Sequence, residues 1–317
     1  NYSALSYPFL AAFSMAAGIM RGSGDTRSPM RISILSNVVN VGVGALCIYL
    51  LGWGVTGVGI ALLTSRIASA FLIGLILYHN DGVNIRKMSF KPEKAIIAPV
   101  LRIGVPAGID GLIFHGGKLI IQTFVTALGT AALAANSIAG SITELINIPG
   151  SSLSLVAVTI VGQAIGSEVY GKELRKTIRL LTGYTILLLM ATTLIMLPLL
   201  PVVVQFYSPP EDVKDMIFSV LHIVLVVMPF LWPIAFVLPS CIRSTGDSTS
   251  VTVVSVLSMW FVRVLGAWFT VHHTGWGLNG IWIFWCADWV VRGIAFIIRS
   301  KSSPYISGKR WQERGKL

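Results

Sequence analysis

Nine apolar runs, at residues 1–20, 29–51, 54–78, 98–128, 131–165, 177–200, 214–242, 249–271 and 277–299, constrain this chain more than any other feature. All reach the roughly 18 to 20 residues that a helix needs to cross a bilayer. Inside lipid the backbone polar groups must be satisfied within the segment, which makes each run a helix. Hydrophobic residues make up 54% and charged residues 12% of the chain, against a usual charged share of about 25%. The sequence predicts an all-α polytopic membrane protein.

The formal net charge of +11 is explained by its placement. Alternate connections are basic: Arg21, Arg27 and Arg31; Arg86, Lys87, Lys91, Lys94 and Arg102; Lys172, Arg175, Lys176 and Arg179; Arg243; then Arg299, Lys301, Lys309, Arg310, Arg314 and Lys316. The connections between them are nearly free of Lys and Arg, with Lys214 the exception beside Glu211, Asp212 and Asp215. By the positive-inside rule, the basic connections and the C-terminus are expected in the cytoplasm. Topology accounts for the charge, and nucleic acid is not expected as a partner. Cys47, Cys241 and Cys286 sit in apolar runs and imply no disulfide framework. Adjacent His272 and His273 are a weak metal signal without a third ligand; no metal and no cofactor is predicted.

A motif occurs twice. Arg21-Gly22-Ser23-Gly24-Asp25 returns as Arg243-Ser244-Thr245-Gly246-Asp247, and after a one-residue slip Trp53-Gly54 falls on Trp276-Gly277 and Gly57 on Gly280. Residues 1–78 and 222–299 therefore read as one three-segment unit used twice. Three further runs, within 98–206, precede the second copy. Two equal lobes would require about a hundred residues or more before Asn1. The expected organisation is helices four to six of a first lobe (1–78), a cytoplasmic linker (79–97), a six-helix second lobe (98–299) and a basic cytoplasmic tail (300–317). From Lys94 onward an amphipathic lead-in along the membrane surface is expected. Each repeated motif is expected to act mainly as a tight turn, with Asp25 capping the next helix and Pro29 in its first turn. A gating role for Arg21, Asp25, Arg243 and Asp247 is the alternative.

Ionisable residues at membrane depth mark function or pairing, because an isolated charge there is costly. Arg66 has no carboxylate among the membrane segments of 1–78, so it either bonds backbone carbonyls or water, or has a partner outside this chain. On the run 98–128, Asp110, His115, Lys118 and Gln122 fall within roughly a 140° arc, and Pro106 is expected to break its first turns. Asp110 and Lys118, about 12 Å apart along the axis, are too distant to neutralise each other directly. Counting back from the turn at Gly129-Thr130 places Glu144 level with His115 and near Lys118. Asp110, His115, Lys118 and Glu144 are thus expected to form one intramembrane cluster, with hydrogen bonds from Gln122 and Asn136; the alternative is a static ion pair. Pro229, Pro233 and Pro239 predict a kinked seventh segment. Asp288 and Arg292, at i and i+4, read as a structural pair, with Arg263 as a second partner for the acid.

These motifs resemble the multidrug and toxic compound extrusion (MATE) family over almost the whole chain. The resemblance rests on the paired turns, on Leu101-Arg102-Ile103-Gly104-Val105-Pro106 and Ala127-Leu128-Gly129-Thr130-Ala131-Ala132, on Val161-Gly162-Gln163-Ala164-Ile165-Gly166, and on Trp232-Pro233 with Leu238-Pro239. Asp110 to Lys118 is most similar to a bacterial branch. The resemblance implies twelve helices in two lobes, here a nine-helix portion, in a bacterial inner membrane. It also implies alternating access and export of small organic, often cationic, compounds against inward H⁺ or Na⁺. Sodium-coupled relatives carry a Glu and an Asp where Phe114 and Trp232 stand, and other relatives carry an Asp in a first helix absent from this chain. The coupling ion stays open. Physically, Glu144 or Asp110 is the expected acid that changes charge during the cycle. A monomer without enzymatic activity is expected. A lipid-linked oligosaccharide flippase is the nearest rival; a membrane-embedded transferase or a passive channel lacks the convergent site or residue rings it would need.

Overall fold

The computed structural model describes residues 2–79 and 93–307. Among these residues nine helices are long and apolar enough to cross a membrane, and no strand occurs. The chain divides into two compact units, Asn1–Pro92 and Glu93–Leu317.

The first unit consists of α1 (Tyr2–Gly22), α2 (Arg27–Ala45, prolonged by a π turn over Leu46–Leu50) and α3 (Gly54–His79). α3 packs on both of the others around a small core of Ala16, Ala17, Met20, Ile32, Ile73 and Leu77. Much of the remaining apolar surface is exposed, as expected where lipid and not water is the solvent. Polar side chains pair inside. Ser36 Oγ donates to the Ser65 carbonyl (3.2 Å) and Asn40 Nδ2 to Ser65 Oγ (3.3 Å). Arg66 finds side-chain partners within the unit. Its Nη1 donates to Ser6 Oγ at 2.6 Å, and its guanidinium lies 5.5 Å from the Tyr7 ring centroid. A hydroxyl and an aromatic face thus partner a cation that has no local acid.

The second unit contains α4 (Lys94–Ala127), α5 (Thr130–Ile146), α6 (Ile148–Gly166), α7 (Lys172–Gln205), α8 (Glu211–Trp232), α9 (Leu238–Ser244), α10 (Ser248–Ser258), α11 (Leu265–His273), α12 (Gly277–Ser302) and α13 (Pro304–Ser307). π turns at Pro233–Val237 and Met259–Val264 join α8 to α9 and α10 to α11. The first is the kink that Pro229, Pro233 and Pro239 predict. α12 packs against α8 and α10, and α4 against α10. Trp282 and Phe296 are the largest side chains buried completely.

Several expected boundaries move. The run 131–165 is interrupted at Asn147, where Pro149 starts a fresh helix; Thr192 Oγ1 of α7 donates to the Ile146 carbonyl at this joint (3.3 Å). Pro106 does not break α4, which begins at Lys94 and passes through it without interruption. The lead-in is therefore continuous with the rest of α4. Residues 300–302 of the expected tail continue α12. Residues 80–92 of the expected linker and 308–317 of the tail lie outside the described residues.

The two copies of the motif share local backbone geometry at their glycines. Gly24 and Gly246 take φ of +93° and +88°, and Gly54 and Gly277 take +49° and +54°, a region open to glycine at little cost. Gly57 and Gly280 are points of close helix approach. A Cβ on Gly57 would lie 2.8 Å from Cys47 Cβ, and one on Gly280 would collide with Thr270 Cγ2.

Candidate functional site

One seam organises the second unit. From its basic end, Ser248 Oγ donates to the Ile103 carbonyl (3.1 Å) and Thr252 Oγ1 to the Pro106 carbonyl (2.9 Å), stitching α10 to α4. The carbonyl that Pro106 leaves without a helical donor is that of Arg102, four residues earlier, so these bonds tie the two helices together without repairing the ladder. One turn further on, Asp110 Oδ2 accepts from Arg243 Nη2, an ion pair between α4 and α9. Their side chains are 14% and 30% exposed respectively.

This pair lies on the wall of a cavity of about 340 Å³. Its polar lining comes from Asp110, Arg243, Arg292, Ser151, Ser154, Ser240 and Ser255; aromatic walls come from Phe114, Trp232 and Phe236. Ser154 Oγ and Ser240 Oγ share a 2.7 Å hydrogen bond, and Ser240 Oγ also donates to the Phe236 carbonyl (2.9 Å). Trp232 stacks on Phe236 with centroids 4.9 Å apart. The π turn at Pro233–Val237 re-aims this helix, so Ala235, Phe236, Pro239 and Ser240 all face the cavity. π bulges often re-aim side chains at functional sites.

Behind the cavity lies a buried polar core. Asp288 Oδ1 accepts from Arg292 Nε (2.9 Å) and from Ser258 Oγ, and Arg292 Nη2 donates to the Ser255 carbonyl (3.1 Å). The Asp288–Arg292 pair expected from sequence is present. Arg263, on the second π turn, is 2% exposed. It lies beyond ion-pair distance of Asp288, whose charge nevertheless acts on it, and its guanidinium lies 3.8 Å from the Trp285 ring centroid. Arg263 Nε and Nη1 and Asp288 Oδ2 are buried without hydrogen-bond partners. Phe114 is shared, with Lys118 at 5.3 Å, Arg292 at 5.3 Å and Arg263 at 5.8 Å from its centroid. The ring attracts a cation on its face, while these neighbouring cations repel one another.

The expected four-residue cluster does not assemble as drawn. Asp110 turns to Arg243, and His115 is exposed, edge-on to Phe114 at 6.0 Å. Glu144 is also exposed and makes no ion pair among the described residues, though its charge acts on the Lys118 ammonium. The physical reason is rotational. α4 buries the face carrying Gly117, Ile121 and Val125, where Gly117 admits Met259 to close contact, and this leaves His115 outside. Gln122 and Asn136 do meet: Asn136 Nδ2 donates to Gln122 Oε1 (3.4 Å), and Trp282 Nε1 donates to Asn136 Oδ1 (3.0 Å).

The repeated turns hold their acids differently. Asp25 Oδ1 accepts from the backbone N–H of Arg27 and of Ser28, each at 3.1 Å, and hydrogen bonds from Ser28 hold its carboxyl below the usual range. Asp247 caps α10 through Ser250 N (3.4 Å) and accepts from Arg299 Nε at 2.7 Å. Burial alone would raise its pKa, but the hydrogen bonds from Arg299 and Ser250 outweigh that and hold it below the usual range.

With this geometry in place, the MatE family model matches residues 106–269, just over half of the 317 residues. The chain belongs to the MatE family. This is the MATE group that its motifs resemble. The MatE chain is similar to "Probable multidrug resistance protein NorM" of Thermotoga maritima, 25% identical over 321 residues, covering 99% of this chain and 66% of that protein. It is likewise 25% identical over 304 residues to "Uncharacterized transporter YisQ" of Bacillus subtilis, covering 94% and 66% respectively. It thus spans just under two thirds of the length of these relatives. A crystal structure of MATE in complex with MaL6 shares the fold at a TM-score of 0.81 and 22% identity, covering 92% of this chain and 65% of that one.

For a MatE chain, the positions of Phe114 and Trp232 are informative. Sequence reasoning named them only as departures from a sodium site, and both line the cavity. It missed Ser151, Ser154, Ser240, Phe236 and Trp285. Ser151 and Ser154, at i and i+3 on one face, were the legible signal. The choice of Arg243 by Asp110 left no trace in a single sequence.

Proposed function

We propose that the chain is the major part of a secondary active efflux transporter that exports small organic, often cationic, compounds by antiport with H⁺ or Na⁺. The basic connections and C-terminus would face the cytoplasm of a bacterial inner membrane, and the unit of function would be a monomer. Residues 1–78 would serve as half of a first lobe, 79–97 as the linker and 98–299 as the second lobe.

The observation that carries this reading is the Asp110–Arg243 pair on the cavity wall, which ties an acid of α4 to the arginine of the repeated turn. A carboxylate held by a cation at membrane depth has two available states. It can stay paired with Arg243, or it can release it on taking a proton, Na⁺ or an organic cation. Mutual exclusion at one acid, across two conformations, gives exchange. Because Arg243 ends the helix that begins at the π turn, its release bears directly on the kinked segment. Lys118, Arg263 and Glu144 would tune the field, and the aromatic walls suit planar apolar cations. A volume of about 340 Å³ lies within the usual range for small-molecule sites.

Dye efflux from proteoliposomes under an imposed pH or Na⁺ gradient tests the proposal. Proton- or sodium-driven efflux that disappears in Asp110→Asn supports it. Unchanged efflux in both Asp110→Asn and Glu144→Gln removes the acid-exchange mechanism, and tight binding of undecaprenyl carriers in place of dyes would favour the flippase.

A further inference from the structure

At the basic end of the second unit, α7, α12 and the kinked stretch Pro233–Val237 enclose a second hollow, of about 570 Å³. On α7, positions 175, 178, 179, 182, 183 and 186 recur at three- and four-residue steps and form one face. The hollow is amphiphilic. Ile178, Ile186, Ile234, Leu238 and Ile297 make an apolar wall, while Arg175, Arg179 and Lys301 gather at one end with no acid in the lining. Among the described residues none of these three cations enters an ion pair. Arg175 makes one long hydrogen bond, Nε to the Gly171 carbonyl at 3.5 Å.

We propose that this groove binds one anionic phospholipid of the surrounding bilayer. Its phosphate would sit between Arg175, Arg179 and Lys301, and an acyl chain would lie along Ile178, Ile186, Ile234 and Ile297. Charge complementarity selects the headgroup, since clustered cations at a membrane surface attract anionic lipids. The apolar wall selects a chain-bearing ligand, because a free inorganic anion would leave that surface unused. The chain's own C-terminal sequence does not complement the site: Lys309, Arg310, Arg314 and Lys316 outnumber Glu313 there. The groove also adjoins the hinge. Ile234 and Leu238 face it, whereas Phe236 and Ser240 on the same stretch face the polar cavity. A lipid here therefore rests against the segment that carries Arg243.

Native mass spectrometry of the full-length protein tests this, after incubation in detergent with phosphatidylglycerol or phosphatidylcholine of matched acyl chains. One phosphatidylglycerol is expected to be retained about tenfold better than phosphatidylcholine. R175Q/R179Q/K301Q should abolish that preference, and K172Q/K176Q, charges outside the groove at the same end, should keep it. Gly183→Phe should lower lipid retention without a charge change, since a Cβ there meets nothing within 4 Å. If the triple variant does not fold, Lys301→Gln alone, at an exposed position, should still weaken retention severalfold. Equal retention of the two lipids would overturn the proposal. So would undiminished phosphatidylglycerol retention in the folded groove variants, equal loss in K172Q/K176Q, or displacement of the lipid by millimolar inorganic phosphate.

Discussion

Asp110 on α4 and Arg243 on α9 are ion-paired across 133 residues of sequence, joining the helix with the densest intramembrane polarity to the second repeated turn. Breaking a partly buried pair from either side leaves its partner uncompensated. Asp110→Asn and Arg243→Gln are each expected to lower dye efflux at least about tenfold. The exchange variant D110R/R243D should recover thermal stability relative to the singles but not transport, because it moves the carboxylate to another helix. Recovery of both would make the pair architectural.

Arg263 and Asp288 should behave in opposite ways when removed. Arg263 is buried with two nitrogens unpartnered, so Arg263→Met should leave thermal stability unchanged or raise it. Asp288→Ala strands Arg292 and Ser258 in the core and should cost about 3–5 kcal/mol. Unfolding temperatures in one detergent check both. A fall with Arg263→Met would show that stacking on Trp285 outweighs the charge.

Asp247 contributes stability with a defined sign in pH. Its folded-state pKa is held below the usual carboxylate range, so its stabilisation is present above the unfolded value of about 4. It is lost as pH falls through the folded value. A melting curve against pH should show an acid-side decline that is shallower in Asp247→Asn. At neutral pH, Asp247→Ala should cost about 1 kcal/mol for the lost helix cap, plus the contact with Arg299.

Gly280 and Gly57 should both resist enlargement. Gly280→Ala drives a methyl into Thr270 Cγ2 and should cost about 1–3 kcal/mol. Thr270→Ser, which deletes that atom, should recover part of the loss. At Gly57 the obstacle is Cys47 Cβ, so Cys47→Ser should recover nothing. Thermal unfolding of the two double variants makes the comparison.

Much of the architecture was legible because it is local chemistry. Run length marked the helices, three prolines marked the bend between α8 and α9, and the glycines of the repeated turns marked backbone with positive φ. The break at Asn147 and the passage of α4 through Pro106 were not legible. A proline in a membrane helix can start a new one, as Pro149 does, or be carried through, as Pro106 is, and neighbouring helices decide which. The site followed the same division. The Asp288–Arg292 pair lies within one helix and could be read from its spacing, but Asp110 met Arg243 and not the ionisable neighbours assigned to it.

The apolar runs determined by themselves that this chain is a polytopic helical protein, because bilayer thickness sets how long an apolar run must be. Only the tertiary structure decided which charges meet. That outcome depends on how far each helix rotates and slides against its neighbours, set by many small contacts such as Gly117 on Met259 and Gly280 on Thr270, each of which joins two different helices.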